Sequence, residues 1–387
     1  MSHISKFGLL GGNFKKPPQR KTRRLVCIRL NRSYEELTPI SWSEYFEYKR
    51  FVDIDGNRFA TYSLGNVESV LIVLLHGGGF NALTWSLFAK HLVKQCECQV
   101  LAIDLRGHGN SFTTDDNDLS MTTFTNDIIS LLRKSYPDKM PSIVLMGHSL
   151  GGAIAVNIAS TEESDLPIIG LVVIDVVEGS AMESLASMQS FLRSRPKSFK
   201  SLTDAISWGM GNGHIKNEES ARVSIPGQIK NIATGKLGTD EFDEPAIDTP
   251  VLTEAISEPQ YSIDSIKEDE EFGASSISSK KPLGNYTWRI DLCKTEKHWP
   301  GWFQGLSKKF LSIHAQKLLL LANIDRMDRD LTVGQMQGKF EMQVLPRVGH
   351  AVQEDDPEKV ASILSNFLVR NKFANPTGDF VRILPGC

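Results

Sequence analysis

No apolar run in this 387-residue chain approaches the roughly 20 residues needed to cross a bilayer, so no membrane partner is expected. The opening stretch, MSHISKFGLLGGNF, lacks the uninterrupted apolar core of a secretory signal. Cysteine is scarce and scattered: five residues, at 27, 96, 98, 293 and 387. An odd, dispersed set implies no disulfide framework, and a reducing cytoplasmic or nuclear compartment is expected. Cys96 and Cys98 form a lone CxC without a second cluster, and Cys387 lacks the three following residues that a prenylation signal requires. A basic surplus is missing too, since the formal net charge is −3; nucleic acid is therefore not an expected partner. HExxH, paired CxxC and Walker-type loops are absent, as are internal repeats, so neither a metal nor another cofactor is expected.

What is present suits a folded α/β chain, with 41% apolar and 23% charged residues. Residues 1–37 read as a disordered basic arm around KKPPQRKTRR, which puts six basic residues in ten and is broken by two prolines. It suits a nuclear import signal or an acidic partner, and equally a solvated tail. From residue 38 to 387 a single domain is expected. YKRFVDIDGNRFATYSL carries an Asp-Gly turn between two alternating segments, a hairpin signal. Apolar runs then alternate with helical stretches: VLIVLL (70–75), QVLAI (99–103), SIVLM (142–146) and GLVVI (170–174), each of the first three followed by a helix. KLLLLA (317–322), EMQVL (341–345) and the helical stretch 357–370 close the pattern. Alternation of this kind predicts a mostly parallel sheet with helices on both faces.

Two stretches interrupt it. Residues 181–232 have helical periodicity and read as a helical insertion over the sheet's C-terminal edge. The span from about 236 to 284 reads as a disordered acidic loop; its segment 240–271 holds twelve acidic residues against one lysine. Within it, YSIDSIKEDEE resembles the LxxIxE-type motif read by a phosphatase regulatory subunit, a pattern that chance also produces in acidic loops.

The chemistry concentrates at three points. GHSLGG (147–152) is a G-x-S-x-G element placed right after a strand and right before a helix, the context of a nucleophile elbow. Ser149 is the expected nucleophile, lifted clear of the sheet by a strained turn, and glycines at 147 and 151 keep that turn free of side chains. LLHGGGF (74–80) also follows a strand, and its glycines let backbone approach a tetrahedral intermediate. An N–H from Gly78 or Gly79 is expected to join that of Leu150 in an oxyanion hole. Such hydrolase folds run Ser, then acid, then His, and of nine histidines His350 alone lies in a loop between the last strand and the last helix. His148 is expected to pack locally and His108 to play a structural part.

The acid has two candidates. Asp175 ends the buried run GLVVI, and Asp325 lies in LLLLANIDRMD, after the later strand, which is the commoner location. Asp325 and Asp328 sit among Arg326 and Arg329, where ion pairing is a ready use. Asp175 ends the cleaner buried run, and burial is what lets a carboxylate orient an imidazole. The residues by themselves leave both open. Asp104 comes too early in the chain order and Glu178 lies past the strand end.

TPISWSEYF (38–46), LLHGGGFNALTW (74–85), MGHSLGGAIAV (146–156), IDVVEGSAM (174–182), SMQSFLRSRPKSFKSL (187–202), YTWRIDLCKTEKHWPGWFQGLS (286–307), LTVGQMQGKFEMQVLP (331–346) and GHAVQEDDP (349–357) together resemble the protein phosphatase methylesterase family. The resemblance implies an α/β-hydrolase fold and a serine carboxylesterase that needs no cofactor. Its implied substrate is the methyl-esterified C-terminal leucine of the protein phosphatase 2A catalytic subunit, with that enzyme's scaffold or regulatory subunits as further partners. It also implies the triad Ser149, Asp175 and His350, which is what separates Asp175 from Asp325. The segment around Trp299–Phe303 would, with the insertion, form a surface accepting the phosphatase tail. Two rival functions remain to be weighed: a phosphatase-binding inhibitory protein on a hydrolase scaffold, and a small-molecule carboxylesterase.

Overall fold

A computed structural model describes residues 37–161, 164–242, 284–323 and 327–382, all within one compact unit, Leu37–Cys387. The basic arm up to residue 36, the acidic stretch 243–283 with its short motif, and Asp325 lie outside the described residues.

The chain enters through a hairpin, β1 (Tyr48–Ile54) and β2 (Asn57–Gly65). Its two-residue turn is Asp55-Gly56, with φ of 48° and 79°, the left-handed pair that a tight hairpin requires. Strands and helices then alternate: β3 (Leu71–Leu75), α1 (Ser86–Gln95), β4 (Gln99–Ile103), α2 (Met121–Ser135), β5 (Ile143–His148), α3 (Leu150–Ala159) and β6 (Ile168–Ile174). A long excursion follows, comprising α4 (Glu178–Ser194), α5 (Leu202–Gly211), α6 (Glu218–Ser224), β7 (Ile229–Asn231), β8 (Tyr286–Trp288), α7 (Trp299–Phe303) and α8 (Leu306–Ser312). The chain closes with β9 (Gln316–Leu321), α9 (Arg329–Met336), β10 (Glu341–Val344), α10 (Val352–Asp355) and α11 (Pro357–Arg370).

Among the described residues the main sheet has eight strands in the order β1-β2-β4-β3-β5-β6-β9-β10. Only the β1–β2 and β2–β4 pairings are antiparallel. The apolar runs are continuous because the central strands are covered on both faces. Leu71, Val73 and Leu75 of β3 join the core beneath α2 and α3, while Ile72 and Leu74 join the core beneath α1 and α11. Each such leucine or isoleucine contributes about 1.5–3 kcal/mol by leaving water. The final helix starts where proline is tolerated, at Pro357, and the Asp356 side chain caps it by accepting from the Lys359 N–H.

The excursion between β6 and β9 has its own small core, which includes Phe199, Ala205, Ile206, Ile215 and Ile225. It is stitched by the antiparallel β7–β8 pair. Phe80 of the loop after β3 and Ala351 beside His350 pack into this same cluster, so the excursion rests on both functional loops. Among the described residues no helix is long and apolar enough to cross a membrane.

Candidate active site

Ser149 sits between the end of β5 and the start of α3 with φ 52° and ψ −119°, a conformation side chains rarely adopt. Such strain costs on the order of 1–3 kcal/mol and persists only where the surroundings enforce it. Here β6 does so: the Ser149 N–H donates to the Ile174 carbonyl at 2.9 Å. The flanking glycines are needed for close approach. A Cβ on Gly147 would lie 2.1 Å from the Gly151 carbonyl oxygen, and one on Gly151 the same distance from that of Leu75.

Asp175 leaves β6 with a φ of 49°, and its N–H donates to the Leu320 carbonyl at 2.8 Å. Its carboxylate is fully buried and faces the half-exposed His350, with Oδ2 2.8 Å from Nδ1. The other oxygen accepts from the Ala322 N–H at 3.1 Å. A carboxylate fixed from both sides holds Nδ1 protonated and leaves Nε2 as the free base. The Ser149 hydroxyl makes no hydrogen bond among the described residues, and it lines the same cavity as His350. The Asp–His half of the arrangement is thus assembled while the Ser–His contact is open. Two carboxylates near the acid candidates, Glu178 and Asp328, have other duties. Glu178 accepts from the Gly305 and Ser307 N–H groups, and Asp328 caps α9 by accepting from Leu331 N–H.

The two oxyanion candidates of the HGGG loop part company. Gly79 is buried, and its N–H donates to His108 Nε2 at 2.9 Å. That corrects the expectation for Gly79, because an amide spent on an imidazole is not available to a reacting oxygen. Gly78 lines the cavity with Ser149 and Leu150, and its N–H has no partner among the described residues. Leu150 is the first residue of α3, where the helix leaves its leading N–H groups free and its positive end forward.

Several residues that frame the site carry no motif of their own. His148 is wholly buried and donates from Nε2 to the His350 carbonyl at 2.8 Å, tying the elbow to the base loop. Burial pushes its pKa down to about 3, so it stays neutral. His108 is likewise pushed down, to about 4, mainly by burial; it donates from Nδ1 to the Arg106 carbonyl and accepts Gly79. His76 donates to the Gly77 carbonyl and accepts from the Leu105 N–H. Asp104 accepts from the Ala82 and Asn110 N–H groups, and burial lifts it to about 6. Glu354, four residues past His350, accepts from the Thr84 hydroxyl at 2.5 Å and the Ser224 hydroxyl at 2.7 Å. It joins the base loop, the loop after β3 and the excursion, and burial lifts its pKa to about 8. A sequence hint exists only for the histidines, which lie next to glycines whose backbone must approach closely.

Above Ser149 lies a cavity of about 560 Å³. Its walls are largely apolar: Val176, Met188, Leu192, Leu292, Trp299, Trp302 and Phe303 among them. Trp299, Trp302 and Phe303, the segment expected with the insertion to accept a phosphatase tail, are each less than 7% exposed and line the cavity together with α4. Trp302 is pinned through its Nε1–H to the Leu119 carbonyl at 2.7 Å. A serine on a strained turn, a histidine oriented by a buried carboxylate and two free amides beside an apolar cavity are what acyl transfer requires.

Comparison with known proteins agrees with this reading of the fold. The alpha/beta hydrolase family matches residues 72–363. Among solved structures, E-2-(acetamidomethylene)succinate hydrolase superposes with a TM-score of 0.61 at 16% identity, covering 83% of this chain and 99% of that one. Protein phosphatase methylesterase 1 of Mus musculus is 45% identical, over 91% of this chain and 90% of its own length. The Homo sapiens protein of that name is 46% identical over the same shares. The chain belongs to the protein phosphatase methylesterase family of alpha/beta hydrolases.

Proposed function

We propose that the chain hydrolyses the methyl ester on the C-terminal leucine of the protein phosphatase 2A catalytic subunit, releasing methanol and a free carboxylate. Ser149 attacks the ester carbonyl while His350 Nε2 takes its proton. Asp175 keeps the imidazole in the needed tautomer and stabilises the imidazolium. The Gly78 and Leu150 N–H groups receive the oxyanion, each donor contributing on the order of 3 kcal/mol. Methoxide is a poor leaving group, so His350 returns its proton to that oxygen as the tetrahedral adduct collapses. Water, deprotonated by the same imidazole, then clears the acyl-enzyme.

The observation that carries the reading is the 2.8 Å Asp175–His350 contact beside Ser149, in a chain 45% identical to a methylesterase. The cavity supports it as well, since apolar walls suit a leucine side chain. Residues of the phosphatase beyond its tail, its scaffold or regulatory subunits, and a cytoplasmic and nuclear location belong to the same proposal. The open Ser149–His350 contact favours one alternative, a protein that holds the phosphatase without turning it over. A serine-directed fluorophosphonate separates the two. Labelling at Ser149 together with methanol release from the methylated phosphatase supports the esterase; neither event, with intact binding, supports the alternative.

A further inference from the structure

Among the described residues Arg195 is the one lysine or arginine lining the cavity. It follows the last turn of α4, and its guanidinium carbon stands 3.4 Å from the centre of the Trp288 ring. Its Nε is buried without an acceptor. Among the described residues no carboxylate lies within ion-pairing distance of it; Asp175, on the same cavity, is taken by His350 and the Ala322 N–H. Two other arginines with largely buried side chains are treated differently. Arg106 grips Asp127 with two 2.8 Å bonds, and Arg289 meets Asp116 at 2.9 Å. A guanidinium that served only the fold would be paired in that way, because burying an uncompensated cation is unfavourable. Burial lowers its pKa to about 10, which still leaves it charged at neutral pH.

Its position says what it faces. A Cβ built on Gly79 would be 3.9 Å from Arg195 Nη1, so the planar fork reaches the loop that carries the Gly78 donor. The Trp288 ring covers one side of the guanidinium, a stacking that orders it without neutralising it. A fork held flat, charged and unpaired beside the reacting centre is a receptor for a planar anion. We propose that Arg195 binds a carboxylate of the substrate or product within this cavity. The inference rests on the esterase reading above. A methyl ester is itself neutral, so the carboxylate is either an acidic side chain upstream of the ester or the terminal carboxylate that hydrolysis creates.

Binding separates these sources without relying on turnover. Four short peptides ending in leucine would be compared: Glu or Gln upstream, each as methyl ester and as free acid. Fluorescence anisotropy would measure their affinities for the Ser149→Ala protein, and for the same protein carrying Arg195→Met or Arg195→Lys. A carboxylate is expected to improve affinity by about tenfold. The gain should vanish with Arg195→Met and survive in part with Arg195→Lys. A gain that follows Glu over Gln assigns the side chain; one that follows acid over ester assigns the product. An unchanged gain in Arg195→Met, or no carboxylate preference in the parent protein, overturns the inference. An arginine that merely supported α4 would weaken all four peptides alike. Turnover of the two esters by the unmodified protein tests the esterase reading separately: turnover without carboxylate preference defeats this inference alone.

Discussion

The floor and the roof of the cavity are built on opposite plans. The floor is β5, Ser149 and α3, where hypothetical methyl groups on Gly147 and Gly151 would lie 2.1 Å from backbone. Every residue of α3 except Asn157 and Ala159 is buried. The roof is α4, in which Leu192 is the sole buried residue of seventeen and Met182 and Phe191 are exposed. Its Ser184, Ser187 and Ser190 hydroxyls bond to the helix's own carbonyls rather than to neighbours. The contrast separates two tasks. Bond-making atoms sit where backbone crowding leaves no choice of position, and the surfaces that meet a substrate sit where little else constrains them.

That division can be broken from the floor upward. Ser149→Ala removes the attacking oxygen and should lower ester turnover by on the order of 10⁶-fold, with loss of fluorophosphonate labelling. Retained labelling would place the nucleophile elsewhere. Gly151→Ala drives a methyl into the Leu75 carbonyl, so a loss of about 3 kcal/mol or more in stability is expected, with activity falling alongside. An unchanged denaturant midpoint would mean that the elbow has more slack than its distances allow.

Glu354 tests the joint between floor and roof. Its pKa of about 8 in the folded chain stands above the ordinary 4.5, so its contribution to stability is full below about 4.5 and is lost as pH rises through about 8. Below about pH 6.5 the buried histidines, with their lowered pKa values, oppose this trend, so wild-type stability should fall from about pH 6.5 to about 8, by on the order of 2 kcal/mol. Glu354→Gln, which keeps a polar group facing Thr84 and Ser224, should flatten the slope; urea midpoints measured from acid to mildly alkaline pH would show it. The smallest effect belongs to the roof. Phe191 lines the cavity at 44% exposure, so Phe191→Ala should raise KM about threefold and change stability by less than about 0.5 kcal/mol.

How much of this was legible in the sequence follows the same division. The strands could be read because double-sided burial leaves continuous apolar runs, and the elbow because its glycines answer a local steric demand. His350 emerged from chain order, being the histidine between β10 and α11. Choices that depended on distant partners could not be read. Gly78 and Gly79 look alike in HGGG, and what separates them is His108, 29 residues further along the chain. Asp175 and Asp325 both follow buried runs, and only the resemblance divided them before the 2.8 Å contact to His350 was known. That Trp299, Trp302 and Phe303 are buried could not be read locally, because α4, which lines the cavity with them, lies more than a hundred residues earlier in the chain. Neither the Glu354 joint nor the unpaired Arg195 leaves any local pattern.

The central claim is that Ser149, His350 and Asp175 act together on a methylated phosphatase. Methylated protein phosphatase 2A catalytic subunit, incubated with wild type, Asp175→Asn and Asp325→Asn, tests it most directly by methanol release. The account predicts a loss of about 10⁴-fold in kcat for Asp175→Asn and near-wild-type release for Asp325→Asn. Abolished release in Asp325→Asn with intact release in Asp175→Asn would contradict it.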